Sequence, residues 1–290
     1  MKIILATDFS NENQMLYPYA IDLMKDVGGE IILFHAFIDY VFVGDTSFPG
    51  SLESGVFNQE LLIQIENQSK KQMEIWHAFL EKAIEEQKIP NIKVRAVLES
   101  GDPKNELIAL SEKEHPDLIL MGTSGLGLKG FLEGSVSKNI ITKVTMPMLS
   151  IPKKYQWRES TDVLYATNFG KYEKTTLERI FSILKPYAPT IHVLHLLVDQ
   201  GDAEKAYELM EVLKQSFIGV PITGDLHFDI INTQNPRETM KLFCEQHNIS
   251  MASFIAHRRS LLDYIFRDRV TKEDFYNLGI PMLTFKEPED

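Results

Sequence analysis

Residues 2–10 read KIILATDFS, and residues 162–170 read DVLYATNFG. Both are apolar runs that end in Ala-Thr, an acid or its amide, and Phe, and they lie 160 positions apart. Four more pairs follow in the same order. IILFHAFID at 31–39 matches IHVLHLLVD at 191–199 at the same offset, and VLESGDP at 97–103 matches IINTQNP at 230–236 at an offset of 133. DLILMGTSG at 117–125 sits over SMASFIAHR at 250–258, again at 133, and PMLSI at 147–151 over PMLTF at 281–285 at 134. Self-similarity that runs through the whole plan marks a tandem duplication. The halves, 1–153 and 160–290, are joined by a short charged link, Pro152 to Thr161, and are expected to pack closely.

Within the first half, short runs rich in Ile, Val and Leu read as strands near 2–7, 30–37, 93–98, 117–122 and 147–151. Helices are expected near 12–27, 59–88, 104–114 and 135–144, with Pro103 opening the third and Pro116 ending it. The drop in offset from 160 to 133 falls between the second and third strands. There the first half carries an extra stretch, Asp39 to Asn58, which Gly44, Pro49, Gly50 and Gly55 mark as an irregular loop. Strands that alternate with helices imply a parallel sheet with right-handed crossovers. Each half is expected to be a small doubly wound α/β domain.

Composition narrows the function. The 290 residues carry 30 Lys and Arg against 41 Asp and Glu, a formal charge of −11. Such a chain repels phosphate backbones, which argues against nucleic-acid binding. No run of about 18 apolar residues is present to span a membrane, and the N-terminal run is too short for a signal peptide. A cytoplasmic location is expected. The lone Cys244, in the setting Leu242-Phe243-Cys244, reads as a small core residue.

Doubly wound sheets bind ligands at the carboxyl ends of their strands. The fourth strand of the first half runs into MGTSGLGLKGFLEGSV at 121–136, with five glycines from 122 to 134. Glycines let backbone N–H groups approach a ligand, and Gly134-Ser135 opens a helix whose free N–H groups favour an anion. A phosphate cradle is the reading that follows; a plain glycine-rich turn capped by Ser135 is the alternative. Gly125 to Gly130 satisfies the dinucleotide fingerprint, but it follows the wrong strand and no acid stands about 20 positions on. The P-loop pattern fails because Leu128 holds the lysine position, and a serine-hydrolase elbow is absent. His35 and His195 are equivalent by offset and are expected to be hydrogen-bonding residues. His192 and His195, three apart on a strand, face opposite ways and make a poor metal pair.

Gly122, Gly125, Gly134 and Ser135, with the first strand ending in Asp8, the strand end Phe34-His35-Ala36 and the entry Pro147-Met148-Leu149, resemble the universal stress protein family. The resemblance covers both halves and makes the chain look like a tandem two-domain member. It implies a five-stranded parallel sheet of the adenine nucleotide alpha hydrolase-like, Rossmann-like kind in each half, with the halves packed as an intrachain pseudo-dimer. It also implies an adenine nucleotide (ATP, ADP or AMP) in the first half, alone or with Mg²⁺. Asp8 and Ala36 would then face the adenosine, with Gly122, Gly125, Gly127, Gly134, Ser135 and Val136 on the phosphates. The family's adenine-nucleotide binders are signalling or stress-resistance proteins, not enzymes with fast turnover, and output through a protein partner or a change in stability on nucleotide binding is expected.

Two departures modify that expectation. Eight residues, not nine, separate Gly125 from Gly134, and Glu133 stands before the phosphate turn, so weaker binding with fewer phosphates is expected. In the second half Gly122 becomes Ile255, Gly125 becomes Arg258, Gly134 becomes Asp268 and Asp8 becomes Asn168, so that half is expected to have lost the site. Arg258, Arg259, Arg267 and Arg269 read as a salt-bridged surface or as an anion site of another kind. Two rival functions stay open: an interaction protein that binds no nucleotide, and a slow ATP hydrolase or nucleotidyl transferase with Asp8 holding Mg²⁺. A further homodimer is compatible with either.

Overall fold

The first strand, β1 (Lys2–Ala6), is apolar along its length because it is covered on both faces: Ile3, Ile4 and Leu5 have no solvent exposure. The computed structural model describes residues 1–38, 51–123, 144–158, 162–256 and 278–287; for 51–58 only the backbone is described. The chain divides into two compact units, Met1–Lys129 and Gly130–Asp290.

In the first unit β1 is followed by α1 (Leu16–Met24), β2 (Gly29–Phe37), α2 (Ser51–Glu86), β3 (Ile92–Ser100), α3 (Pro103–Glu114) and β4 (Leu118–Gly122). The strands lie in the order β3-β2-β1-β4, all parallel. Strand order therefore reverses at β1, and the crevice above β1 and β4 is the place where such sheets take ligands. Pro103 stands at the first position of α3, whose start is capped by Asp102 accepting from the Asn105 N–H at 3.0 Å. The helix ends at His115, in the left-handed region with φ 46°, just before Pro116.

Two elements differ from the sequence reading. The helix expected from residue 12 is a single 3₁₀ turn at Asn11–Asn13 and a helix that starts at Leu16. Pro18 explains the late start, since a proline fits the first helical turn and breaks the interior. The long helix α2 begins at Ser51, so it includes Gly55 and shortens the expected irregular stretch. One interior glycine costs a helix about 1 kcal/mol, which a 36-residue helix already nucleated elsewhere absorbs. Trp76 on α2 stacks on Tyr17 of α1, ring centres 3.9 Å apart and nearly coplanar at 3°.

The second unit holds β5 (Met148–Ile151), β6 (Asp162–Ala166), α4 (Glu173–Leu184), β7 (Thr190–Leu197), α5 (Ala203–Gln215), β8 (Asp225–Asn232), α6 (Pro236–Gln246), β9 (Met251–Ala256) and β10 (Met282–Lys286). Its strand order is β5-β10-β9-β6-β7-β8. The last strand of the first repeat, β5, pairs antiparallel with the last strand of the second, β10, with Leu149 opposite Leu283. Those two residues are equivalent in the repeat, so the pair of strands has a local two-fold at that point. Cys244 lies in the core with Leu194, Phe243, Ile249 and Phe254, and burial, helped by the charge of Glu245, pushes its thiol up to about 12.

Ladder register refines the repeat. Leu5 pairs with Leu33 and Leu120, and Tyr165, 160 positions on, pairs with Val193 and Ser253. The offset of 133 for the fourth strand is thus reproduced. For the third strand the hydrogen bonds give 132: Phe37 lies opposite Ser100, and Leu197 opposite Asn232. The second repeat gains its extra residue in the turn before Asn235, not in the strand.

Candidate functional site

At the carboxyl end of β1 the chain turns sharply. Phe9 takes a left-handed φ of 57°, unusual for a bulky side chain, and two contacts hold it there. Its N–H donates to Thr7 Oγ1 at 3.0 Å, and its ring rests on His35, centroids 4.3 Å apart. His35 Nδ1 lies 2.8 Å from the Thr7 carbonyl, which only accepts, so the proton is on Nδ1 and Nε2 accepts from the Ser69 hydroxyl at 3.4 Å. Burial holds the His35 pKa below its ordinary value, against the Thr7 carbonyl and the charge of Asp8. Thr7 Oγ1 also meets the buried Tyr17 hydroxyl at 2.9 Å.

The second unit repeats this turn. Phe169 has φ 59°, its N–H donates to Thr167 Oγ1 at 2.9 Å, and its ring lies 4.6 Å from that of His195. His195 Nδ1 is 2.9 Å from the Thr167 carbonyl. The two histidines therefore act in the hydrogen-bonding role expected of them, and the Thr-x-Phe turn with its histidine belongs to the fold.

Asp8 is where the repeats part. Its Oδ1 accepts from the Ser10 N–H at 3.1 Å and from Asn13 Nδ2 at 3.0 Å. Its Oδ2 is buried and has no hydrogen-bond partner among the described residues. Asp8 lines a cavity of about 110 Å³ together with Thr7, His35, Ala36, Pro103 and Leu107. Pockets for whole drug-sized ligands run to about 300–1,000 Å³, so this space suits one ring system of a larger ligand. Ala36, 6% exposed, forms part of its wall, and the start of α3 supplies the Pro103 and Leu107 side.

Gly122 ends β4 beside this turn, and its lack of a side chain serves a neighbour: a Cβ there would overlap with Asn13 Oδ1. Asn13, 4% exposed, thus fills the space over Gly122 and reaches Asp8. Of the expected site residues, Asp8, Ala36 and Gly122 are brought to one end of the sheet. Gly125, Gly127, Gly134, Ser135 and Val136 lie outside the described residues, as do Arg258, Arg259, Arg267 and Arg269 of the second repeat. Sequence reading missed Thr7, Phe9 and Asn13. Thr7 and Phe9 were findable, since Thr167 and Phe169 repeat them; Asn13 was not, because Glu173 replaces it.

In the second unit Glu173 is buried, donated to by the Tyr165 hydroxyl at 2.5 Å and the Gly170 N–H at 2.9 Å. Burial raises its pKa against those hydrogen bonds. Among the described residues no helix is long and apolar enough to cross a membrane.

A family model for the universal stress protein family matches residues 1–152. The chain belongs to the universal stress protein family. Two universal stress proteins of Methanocaldococcus jannaschii are similar to it. One is 28% identical over 163 residues, covering 53% of this chain and 95% of that protein; the other is 30% identical over 157 residues, covering 52% and 82%. Among solved structures, a universal stress protein from Archaeoglobus fulgidus covers 99% of this chain and 98% of its own, with a TM-score of 0.67 at 18% identity. That likeness supports a tandem universal stress protein fold through the whole chain.

Proposed function

We propose that this tandem universal stress protein binds one adenine nucleotide, in its first repeat, and acts in a stress response through a protein partner and not by fast turnover. Asp8 and Ala36 would face the adenosine. Gly122, Gly125, Gly127, Gly134, Ser135 and Val136 would line the path of the phosphates, with or without Mg²⁺. The observation that carries this reading is Asp8 Oδ2, a buried acceptor without a partner among the described residues, on the wall of a cavity sized for one ring. Buried polar atoms in native proteins are paired, and a ligand hydroxyl or amino group is the partner this one calls for. Gly122 enters indirectly, by making room for the Asn13 that orients Asp8. The second repeat would not bind: Asn168 replaces Asp8, and the carboxylate of Glu173 is turned inward onto Tyr165 and Gly170. A cytoplasmic setting accords with the acidic chain and its single buried thiol.

Native mass spectrometry of freshly purified protein, followed by identification of any released small molecule, tests this. One adenine nucleotide per chain, lost in Asp8→Ala, is expected. Two per chain would overturn the assignment to the first repeat alone. A chain that arrives empty and takes up no ATP, ADP or AMP at millimolar concentration belongs instead to an interaction protein, the reading that Glu133 and the shortened Gly125–Gly134 spacing favour. Metal-dependent turnover that vanishes in Asp8→Ala would make the protein a slow hydrolase.

A further inference from the structure

The second unit ends on an open strand. β8 is last in its strand order and pairs with β7 alone. The Asp225 N–H donates to the Pro189 carbonyl and the Thr233 N–H to the Leu197 carbonyl, both at 3.0 Å. These are odd positions, and backbone groups alternate sides along an unbroken ladder. The N–H and C=O groups of Leu226, Phe228 and Ile230 therefore point away from β7, where no further strand of the described residues pairs with them. An edge of this kind is a template for another strand unless something guards it. The edge of the first unit is guarded. Its outermost strand β3 turns odd positions toward β2, since the Asn91 carbonyl accepts from Gly29 and the Gly101 N–H donates to Phe37. The outward carbonyl of Val94 is taken by His77 Nε2 of α2 at 3.3 Å, and the exposed Lys93 stands beside it. β8 has no Lys, Arg or Pro to do the same.

The sequence of β8 is complementary to itself in one antiparallel register. With Phe228 opposite Phe228 across a two-fold, Leu226 stands opposite Ile230, and the outward groups of all three meet in hydrogen-bonded pairs. His227 then lies opposite Asp229 of the second copy, twice by symmetry, at the closer non-hydrogen-bonded positions. An imidazole N–H donor meets a carboxylate there. Moving the centre to His227 sets His227 against itself and Asp225 against Asp229; moving it to Asp229 sets two carboxylates face to face. Charge therefore selects the register centred on Phe228. Within the chain, the side chains of His227 and Asp229 have no hydrogen bond or ion pair among the described residues. The flanking helix adds apolar surface. α5 lies against β8, with Lys214 Nζ 5.9 Å from the centre of the Phe228 ring. Tyr207, Val212 and Ile218, in α5 and the turn after it, are the most exposed large apolar side chains among the described residues.

We propose that β8 is a dimerisation edge whose partner is a second copy of this chain, paired antiparallel β8 to β8 about a two-fold at Phe228. His227 and Asp229 set the register, and the backbone groups of Leu226, Phe228 and Ile230 supply the ladder. The contact is isologous, so it closes at two copies and does not grow into a fibre.

Sedimentation equilibrium of the untagged full-length chain, without nucleotide, decides the matter. A monomer–dimer equilibrium is expected, and hydrogen exchange at the amides of Leu226, Phe228 and Ile230 should slow as protein concentration rises. His227→Asp should weaken the dimer about tenfold, because symmetry places the new repulsion with Asp229 twice. Combining His227→Asp with Asp229→His exchanges the two partners and should restore the parent's affinity, which a misfolded variant could not do. A chain that stays monomeric at about 1 mM would overturn the pairing and leave the edge to a strand of another protein. A dimer that His227→Asp leaves equally tight, or that the double variant fails to restore, would overturn this register. Neither result touches the nucleotide reading.

Discussion

Asn13 and Glu173 stand at the same point of the two repeats, 160 positions apart, and exchange chemistry with their neighbours. In the first unit the Ser10 N–H is accepted by Asp8, with Asn13 donating to the same carboxylate. In the second unit the equivalent Gly170 N–H is accepted by Glu173, and the strand-end position holds Asn168. The carboxylate has moved from the strand end to the helix start and still takes the same backbone N–H. In moving it gained Tyr165 as a second donor, whereas Asp8 keeps one oxygen without a partner among the described residues.

Glu173→Gln reads out that burial. A carboxyl whose folded pKa is raised contributes stability that is fully present below its ordinary value of 4.5 and is lost as pH rises through the raised value. The parent's stability relative to Glu173→Gln, measured by urea unfolding, should therefore fall as pH rises from 4.5 through the raised value. A gap that stays constant with pH would show that Glu173 is not burdened by its setting.

Gly122→Ala should cost about 1–3 kcal/mol, the usual cost of forcing a methyl group into filled space, because the new Cβ meets Asn13 Oδ1. Asn13→Ala removes that obstacle along with the bond to Asp8. The double variant should then be more stable than the sum of the two single losses predicts, by at least about 0.5 kcal/mol. Additivity of the two losses, measured by urea unfolding, would separate Gly122 from Asn13.

The architecture was legible because a duplicated chain prints its strands twice. Each apolar run confirmed its partner, and the ladders place Leu5 and Tyr165 in matching positions. The site was legible only where the repeats agree or where a motif is glycine-rich. Asn13 carries no such mark: it matters because Gly122, more than 100 positions on, leaves the space it fills. The early start of α2 was missed for a different reason. Glycines near 44–55 signal a turn locally, but a long helix extends over a single glycine once the rest of it is packed.

Glu114 ties the lower edge of the first unit, accepting from Arg95 Nη2 at 2.9 Å and Lys2 Nζ at 3.4 Å, while Arg95 Nε reaches Glu30 at 2.9 Å. Burial works against the ionised carboxylate, but Arg95 and Lys2 outweigh it and lower its pKa. Its stabilising effect is thus present above pH 4.5 and lost as pH falls through the lowered value. Arg95 is 42% exposed, so a double-mutant cycle of Glu114→Gln with Arg95→Gln should give a coupling of about 0.5–1 kcal/mol that shrinks in about 1 M salt. A coupling that ignores salt would mean that packing, not charge, joins the pair.

His35 and His195 should titrate alike, since both give Nδ1–H to a strand-end threonine carbonyl and both are held below their ordinary 6.5 chiefly by burial. A lowered folded pKa means stability that is present above about pH 6.5 and is lost as pH falls through the lowered value. Acidification therefore acts in opposite directions on the fold, weakening it through these two rings and relieving the cost of buried Glu173. Ring-proton shifts followed by NMR from pH 8 to pH 4 should put both midpoints below 6.5. His35→Gln should remove one of them and reduce the acid loss of stability. Nucleotide added to the parent should move the His35 midpoint and leave His195 where it was, because His35 lines the cavity of the first repeat. Equal movement of both midpoints would place ligand in both repeats and overturn the division of labour between them.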